Sequence, residues 1–214
     1  MEGIIFDVDG TLWDSTEEVA ISWNQAIRER SDIDRVVTAE QLKKEFGKPM
    51  DEIMDDLFPE LTKNEQDRLA GYLYRYENVW MPKAPCIVYD KMPETVQKLS
   101  KRYKLFIVSN CQSGYIEAFL ENTGLGMYFT DFTCPGDTGE LKGRNIQIIM
   151  ERNQIDKAVY VGDTQGDSMA CREAGIPMIY AAYGFGNVEK EHVTIHSFEE
   201  LLGLSFEEIG GFAS

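Results

Sequence analysis

A chain of 214 residues, 43% hydrophobic and 27% charged, has enough apolar material for one large domain or for one domain carrying an insertion. Its formal charge of −16 argues against nucleic acid and anionic membranes as partners, since both are bound by clustered Lys and Arg. An anionic ligand would be repelled at long range, so a site for one must carry its own local positive charge.

The first predicted element is a strand through Ile4-Ile5-Phe6, with Val8 beyond, that runs into Asp7-Val8-Asp9-Gly10-Thr11. A short apolar run stopped by acids and glycine reads as a buried strand reaching its C-terminal end. Open α/β sheets bind ligands at such ends. Side chains alternate along a strand, so Asp7 and Asp9 are expected to lean to the same side. Two carboxylates that close repel unless one is protonated or a cation lies between them, and oxygen donors suit a hard ion such as Mg²⁺. An exposed acidic turn would carry the same Asp-Gly dipeptide.

Ser15-Thr16-Glu17-Glu18 then has the form of a capping box, followed by Val19, Trp23, Ala26 and Ile27 at helical spacing. Leu42 and Phe46 suit a short helix, broken by Gly47-Lys48-Pro49. Ile53, Met54 and Leu57 suit another, ending near Pro59. Thr62-Lys63-Asn64-Glu65 offers a further cap, and Leu69, Leu73, Tyr76 and Trp80 mark one face of a longer helix, read as core packing. Residues 15–82 are therefore expected to form an all-helical insertion, with Pro82 and Pro85 marking the return to a core made of 1–14 and 83–214.

From there strand and helix alternate. A helix opens at Pro93-Glu94 and ends in Lys101, Arg102 and Lys104. Strands are predicted at 105–108, 131–133, 158–161, 178–181 and 193–195. Helices are predicted at 115–121, 146–152, 168–173 and from Phe198. This pattern predicts an α/β, Rossmann-like parallel sheet with helices on both faces. Cys86, Cys111, Cys134 and Cys171 are scattered without a CxxC pair, which suits reduced thiols better than a zinc site or a disulfide frame. The first strand starts beside Met1 and no apolar run nears membrane-spanning length, so a cytoplasmic protein is expected. His192 and His196 lie away from every motif and read as structural or surface residues. No oligomeric state is legible.

Three predicted strand ends carry chemistry. Besides Asp7 and Asp9, the strand at 105–108 ends in Ser109-Asn110, whose hydroxyl and backbone N–H groups suit a phosphate oxygen, although the pair is also ordinary turn chemistry. The strand at 158–161 runs into Gly162-Asp163-Thr164-Gln165-Gly166-Asp167, with two acids one helical turn apart, one of them expected to cap the next helix. Lys142, just before a predicted helix, is one of few cations near the sheet edge.

In order and spacing, Asp7-Val8-Asp9-Gly10-Thr11, Ser109, Lys142 and Gly162-Asp163 with Asp167 resemble the motifs of the haloacid dehalogenase-like superfamily. The helical stretch resembles its helical cap, and Tyr183-Gly184-Phe185-Gly186 resembles a loop of its phosphoglycolate phosphatase-like branch. The resemblance implies a Mg²⁺-dependent phosphatase acting on a small phosphorylated metabolite through an aspartyl-phosphate. It implies that Asp7 is the nucleophile and Asp9 the general acid and base, that Ser109 binds a phosphoryl oxygen, and that Lys142 neutralises charge. The metal would be held by Asp7, the Asp9 carbonyl and Asp163, with Asp167 in support. Amides of Asp9, Gly10, Thr11 and Asn110 would cradle the phosphate. Lys48 is the cap candidate for touching substrate, against its reading as a solvated turn lysine. The acid at Asp9 disfavours the dehalogenase and phosphonate-cleaving branches. The rivals are a β-phosphoglucomutase-like mutase, which must bind a second phosphate, and a catalytically idle binding or regulatory protein. Trp13 is bulkier than many residues at its place, and Tyr89-Asp90-Lys91-Met92-Pro93 lacks a glycine often found there, so the natural ester stays open.

Overall fold

The computed structural model describes residues 2–189 and 193–206. His192 and the end of the expected C-terminal helix lie outside the described residues.

The apolar run at the start forms β1 (Glu2–Phe6). After a turn the chain makes the two-residue β2 (Trp13–Asp14) and then four helices: α1 (Thr16–Arg30), α2 (Ala39–Glu45), α3 (Met50–Leu57) and α4 (Lys63–Trp80). It returns through β3 (Ile87–Val88), which pairs antiparallel with β2, Trp13 opposite Val88. The helical stretch thus leaves and re-enters at one small two-stranded ribbon, which its two-residue strands left invisible to periodicity.

The second part alternates as expected: α5 (Met92–Leu99), β4 (Lys104–Val108), α6 (Tyr115–Thr123), β5 (Asp131–Thr133), a short α7 (Pro135–Thr138), α8 (Lys142–Asn153), β6 (Lys157–Gly162), α9 (Gln165–Ala174), β7 (Met178–Ala181) and β8 (Val193–Ile195). Phe198 opens a 3₁₀ turn to Gly203 rather than an α-helix. Lys142 lies on the first turn of α8, not before it.

The six core strands are all parallel, in the order β5-β4-β1-β6-β7-β8. This is a Rossmann-like α/β sheet. Ile5 in β1 sits between Phe106 of β4 and Tyr160 of β6. The strand order reverses at β1, so the C-terminal ends of β1, β4 and β6 lie side by side, and such a switch point is where open sheets bind ligands.

Helices cover both faces, which is why these strands are almost continuously apolar. Ile4, Phe6, Leu105 and Ile107 belong to one buried cluster; Ile5, Phe106, Val108 and Tyr160 belong to the other, with Ile146 and Ile149 of α8 and Cys171 of α9. All four cysteines are free. Among the described residues no helix is long and apolar enough to cross a membrane.

Local signals in the helical stretch divide. Glu65 accepts from the Thr62 amide at 2.8 Å and hydroxyl at 2.7 Å, as the expected box requires. A second box, Thr38 with Gln41, opens α2. The Ser15 box does not form. Asp14 Oδ1 accepts from the Thr16 amide at 3.0 Å, and Ser15 turns its hydroxyl to Asp9 instead. In α4, Leu69 and Leu73 are buried, while Trp80 donates to Glu18 at 2.8 Å and Tyr76 to Glu29 at 2.6 Å. The buried row continues to Glu77, not Tyr76.

Candidate active site

The turn after β1 is built on Val8. Its carbonyl accepts from Leu12 N at 2.8 Å and from Thr11 N at 3.2 Å, while Gly10 N donates to Trp13 O at 2.9 Å. Gly10 has a φ of +80°, and a Cβ there would lie 2.2 Å from Asp163 Oδ2, so only glycine fits. Two of the four amides expected to cradle a phosphate, those of Gly10 and Thr11, are thereby spent inside the turn. The N–H groups of Asp9 and Asn110 take no part in these turn bonds.

Asp7 ends the strand with its amide donating to Val161 O at 2.9 Å, and its side chain is 2% exposed. Asp7 Oδ1 accepts no well-aligned hydrogen bond, although Lys142 Nζ lies 3.2 Å away as an ion pair. Lys142, 4% exposed, also donates to Asp167 Oδ1 at 2.6 Å. The carboxylates of Asp7, Asp163 and Asp167 offer oxygens within 4.8 Å of one another. Burial pushes the Asp7 carboxyl up to about 6, against the pull of Lys142 and the Ser109 hydroxyl. Burial, then Asp167 and Asp7, raises Asp163 well above the usual carboxylate range. Burial alone would lower the Lys142 ammonium, but Asp167 and Asp7 outweigh it and hold it above its ordinary value.

Three buried carboxylates around one ammonium leave negative charge in excess. An all-oxygen donor set with an unpartnered lone pair on Asp7 fits a hard divalent cation such as Mg²⁺.

Asp9 is set apart from that group. Its Oδ1 accepts from Trp13 Nε1 at 2.9 Å, from Tyr115 Oη at 2.7 Å and from the Ser15 hydroxyl. The Asp9 carboxylate therefore stands outside the group formed by Asp7, Asp163 and Asp167. The ring of donors keeps Asp9 Oδ1, and no described residue donates to Oδ2. Burial pushes this carboxyl up to about 7. Trp13 also anchors the turn, fully buried with its ring edge-on to Phe119 at 5.0 Å. Its bulk is explained by this double duty. The sequence reading missed Ser15 and Tyr115 as partners of Asp9.

The remaining motif residues are held by neighbours. Thr11 donates its hydroxyl to Asp163 Oδ1 at 3.2 Å. Asp163 Oδ2 accepts from Phe185 N at 2.8 Å, and Tyr183 Oη donates to Thr11 O at 2.9 Å, so the Tyr183–Gly186 loop closes over Asp163. A Cβ on Gly184 would meet the Asp163 Cβ at 2.4 Å. Thr164 caps α9, with Asp167 Oδ2 accepting from Thr164 N at 3.0 Å and Asp163 N at 3.2 Å. One acid therefore serves the cap through Oδ2 and Lys142 through Oδ1. Ser109 is buried beside Asp7, and Asn110 Nδ2 donates to Gly47 O at 2.8 Å, tying the β4 end to the α2–α3 turn.

Above these groups lies a cleft of about 300 Å³ between the strand ends and the helical stretch, reached by Asp7, Asp9, Ser109 and Asn110 from below. Lys48 lines it too, its ammonium held by Glu45 at 2.7 Å and Asp56 at 2.8 Å.

Residues 4–181 match the family described as haloacid dehalogenase-like hydrolase. A phosphoglycolate phosphatase of Aquifex aeolicus is 28% identical over 193 residues, covering 86% of each chain. One of Vibrio parahaemolyticus is 26% identical over 198 residues, covering 87% of this chain and 86% of that protein. The fold superposes on a haloacid dehalogenase-like family hydrolase of Streptococcus pneumoniae with a TM-score of 0.80 at 19% identity, over 94% of this chain and 96% of that one.

Proposed function

Because this chain belongs to the haloacid dehalogenase-like hydrolase family, we propose that it hydrolyses a small phosphate monoester by transferring the phosphoryl group to Asp7. The observation that carries this reading is the division between the two acids. Asp7 Oδ1 lies buried with no hydrogen bond and is ion-paired with Lys142, while Asp9 is held by one oxygen only at the edge of the same cleft. The curated relatives named phosphoglycolate phosphatases support phosphatase chemistry.

In this reading Asp7 attacks phosphorus and forms an acyl-phosphate, which splits one hard displacement into two easier ones. Asp9 Oδ2 gives its proton to the departing alcohol and then takes one from the water that hydrolyses the aspartyl-phosphate. Such help is typically worth about 10²–10⁴ in rate, and a carboxyl held near 7 can act in both directions. Lys142, the Ser109 hydroxyl and the N–H groups of Asp9 and Asn110 meet the phosphoryl oxygens. Mg²⁺ held by Asp7, the Asp9 carbonyl and Asp163, with Asp167 behind, would offset the charge of the ester and polarise its phosphoryl oxygens. Thr11 acts by holding Asp163. Residues 15–82 act as the cap over the cleft, and Lys48, with a third N–H beyond its two carboxylate partners, contacts the ester as a donor.

A mutase would need a second anion site in the cleft. Lys48 is the one cation among its described lining residues, and two acids already hold it, which favours the phosphatase. The test is phosphate release from a panel of small esters with Mg²⁺, with Asp7→Asn as the blank. Release that requires both the metal and Asp7 supports the reading; equal release by Asp7→Asn refutes it.

A further inference from the structure

The upper wall of the cleft carries a buried acid that the proposed mechanism does not use. Glu77 of α4 is 5% exposed and lines the cleft together with Trp23, Ile53 and Tyr74. Its Oε2 accepts from Trp23 Nε1 at 2.6 Å and its Oε1 from Gln112 Nε2 at 3.2 Å. Both donors are neutral, and each carboxylate oxygen keeps lone-pair capacity for a further donor. Among the described residues no Lys, Arg or His pairs with Glu77. A buried carboxylate without a countercharge is costly, so a donor arriving from the cleft would be strongly favoured and a second anion strongly opposed. Elsewhere in the described lining Asp51 adds a further acid, and the one cation there, Lys48, is already held by two carboxylates.

We infer that the cleft selects phosphate esters whose alcohol portion is not anionic and presents an N–H or O–H donor to Glu77, and that it rejects alcohols bearing a carboxylate or a second phosphate. This rests on the phosphatase reading. It parts company with the substrate in the names of the curated relatives, since glycolate would bring a carboxylate against Glu77. The apolar surfaces of Trp23, Ile53 and Tyr74 enclose the carbon skeleton, and Glu77 reads its far end. Burial pushes the Glu77 carboxyl up to about 7, with Trp23 and Gln112 pulling it down and Asp9 adding to the rise, so an incoming ammonium would ionise it.

The test compares three esters on the same two-carbon frame: 2-aminoethyl phosphate, 2-hydroxyethyl phosphate and 2-phosphoglycolate, with p-nitrophenyl phosphate alongside. At about pH 8.5, where Glu77 is ionised, the wild type should show kcat/KM for the aminoethyl and hydroxyethyl esters at least about a hundredfold above that for phosphoglycolate, the scale of a like-charge contact in a buried site. Glu77→Gln keeps the shape and removes the charge, and should cut the aminoethyl-to-phosphoglycolate ratio at least about tenfold. A purely structural Glu77 would lower all esters together and leave the ratio unchanged, which overturns the inference. Preference of the wild type for phosphoglycolate, or turnover confined to p-nitrophenyl phosphate, overturns it and leaves the phosphatase reading standing. No phosphate from any of the four removes both.

Discussion

Tyr115 donates its hydroxyl to Asp9 Oδ1 at 2.7 Å across 106 positions of sequence, and the same hydroxyl lies 3.0 Å from Ser15 Oγ. The start of α6 thereby holds the proposed acid by one oxygen, with the other left for substrate. Tyr115→Phe should lower kcat about tenfold with little change in KM, since it removes positioning and not contact. The Tyr115 bond holds the Asp9 carboxyl down, so its loss should raise that carboxyl further and move the alkaline limb of the rate profile to higher pH. An unshifted limb with unchanged kcat would show that Tyr115 only packs.

The ion pair of Lys142 with Asp7 and Asp167 is buried on both sides. Removing one partner of a buried pair costs about 3–5 kcal/mol, because the other charge is left uncompensated. Lys142→Met measured by urea unfolding in EDTA should lose about 3 kcal/mol, and adding Asp167→Asn should restore part of it. Equal stability of Lys142→Met and wild type would contradict the geometry.

The fit of Asp7, Asp163 and Asp167 to a hard cation has a readout apart from turnover. Mg²⁺ at about a hundred times its Kd should add about 2.7 kcal/mol of stability and raise Tm by about 5 °C or more. Asp163→Asn should lose most of that response while keeping the fold. A Tm indifferent to Mg²⁺ would remove the metal from the account.

Glu77 gives stability a defined pH dependence. Its carboxyl sits at about 7 in the folded protein against an ordinary 4.5. Below 4.5 both states hold the proton. Between 4.5 and 7 the unfolded chain releases a proton that the folded protein keeps, so stability falls as pH rises, by about 3 kcal/mol at most. Above 7 the contribution is gone. Facing Glu77 are Trp23, Gln112, Tyr74, Tyr115 and, further off, Asp9, whose raised carboxyl tilts stability the same way. The difference between wild type and Glu77→Gln isolates the Glu77 part, and should shrink in favour of the variant across that window. A constant difference would show that Glu77 titrates at its ordinary value.

How far the sequence could be read depended on where the signal lay. Asp7, Ser109 and Asp163 were legible because each ends a buried apolar strand, and the parallel sheet brings β1, β4 and β6 together. Asp167 and Lys142 were legible as an acid one helical turn beyond Asp163 and as a rare cation near the sheet edge, but their roles came through the resemblance, and their pairing awaited the contact between α8 and α9. Glu77 left no trace, because an acid within a helix reads as solvent-facing until Trp23 and Gln112, 54 and 35 positions away, close around it. Ser15 misled in the other direction. Its capping pattern is genuine in sequence, but Asp9 competes for the hydroxyl, and Asp14 takes over the cap. Local propensity yielded to a tertiary partner.

The central claim is that Asp7 carries the phosphoryl group. Acid quench during turnover of a small ester with Mg²⁺, followed by borohydride reduction, converts an aspartyl-phosphate to homoserine, which peptide mass spectrometry locates. The account predicts homoserine at position 7 and none in Asp7→Asn. Phosphate released with no homoserine at position 7, or with the label on another carboxylate, would contradict it.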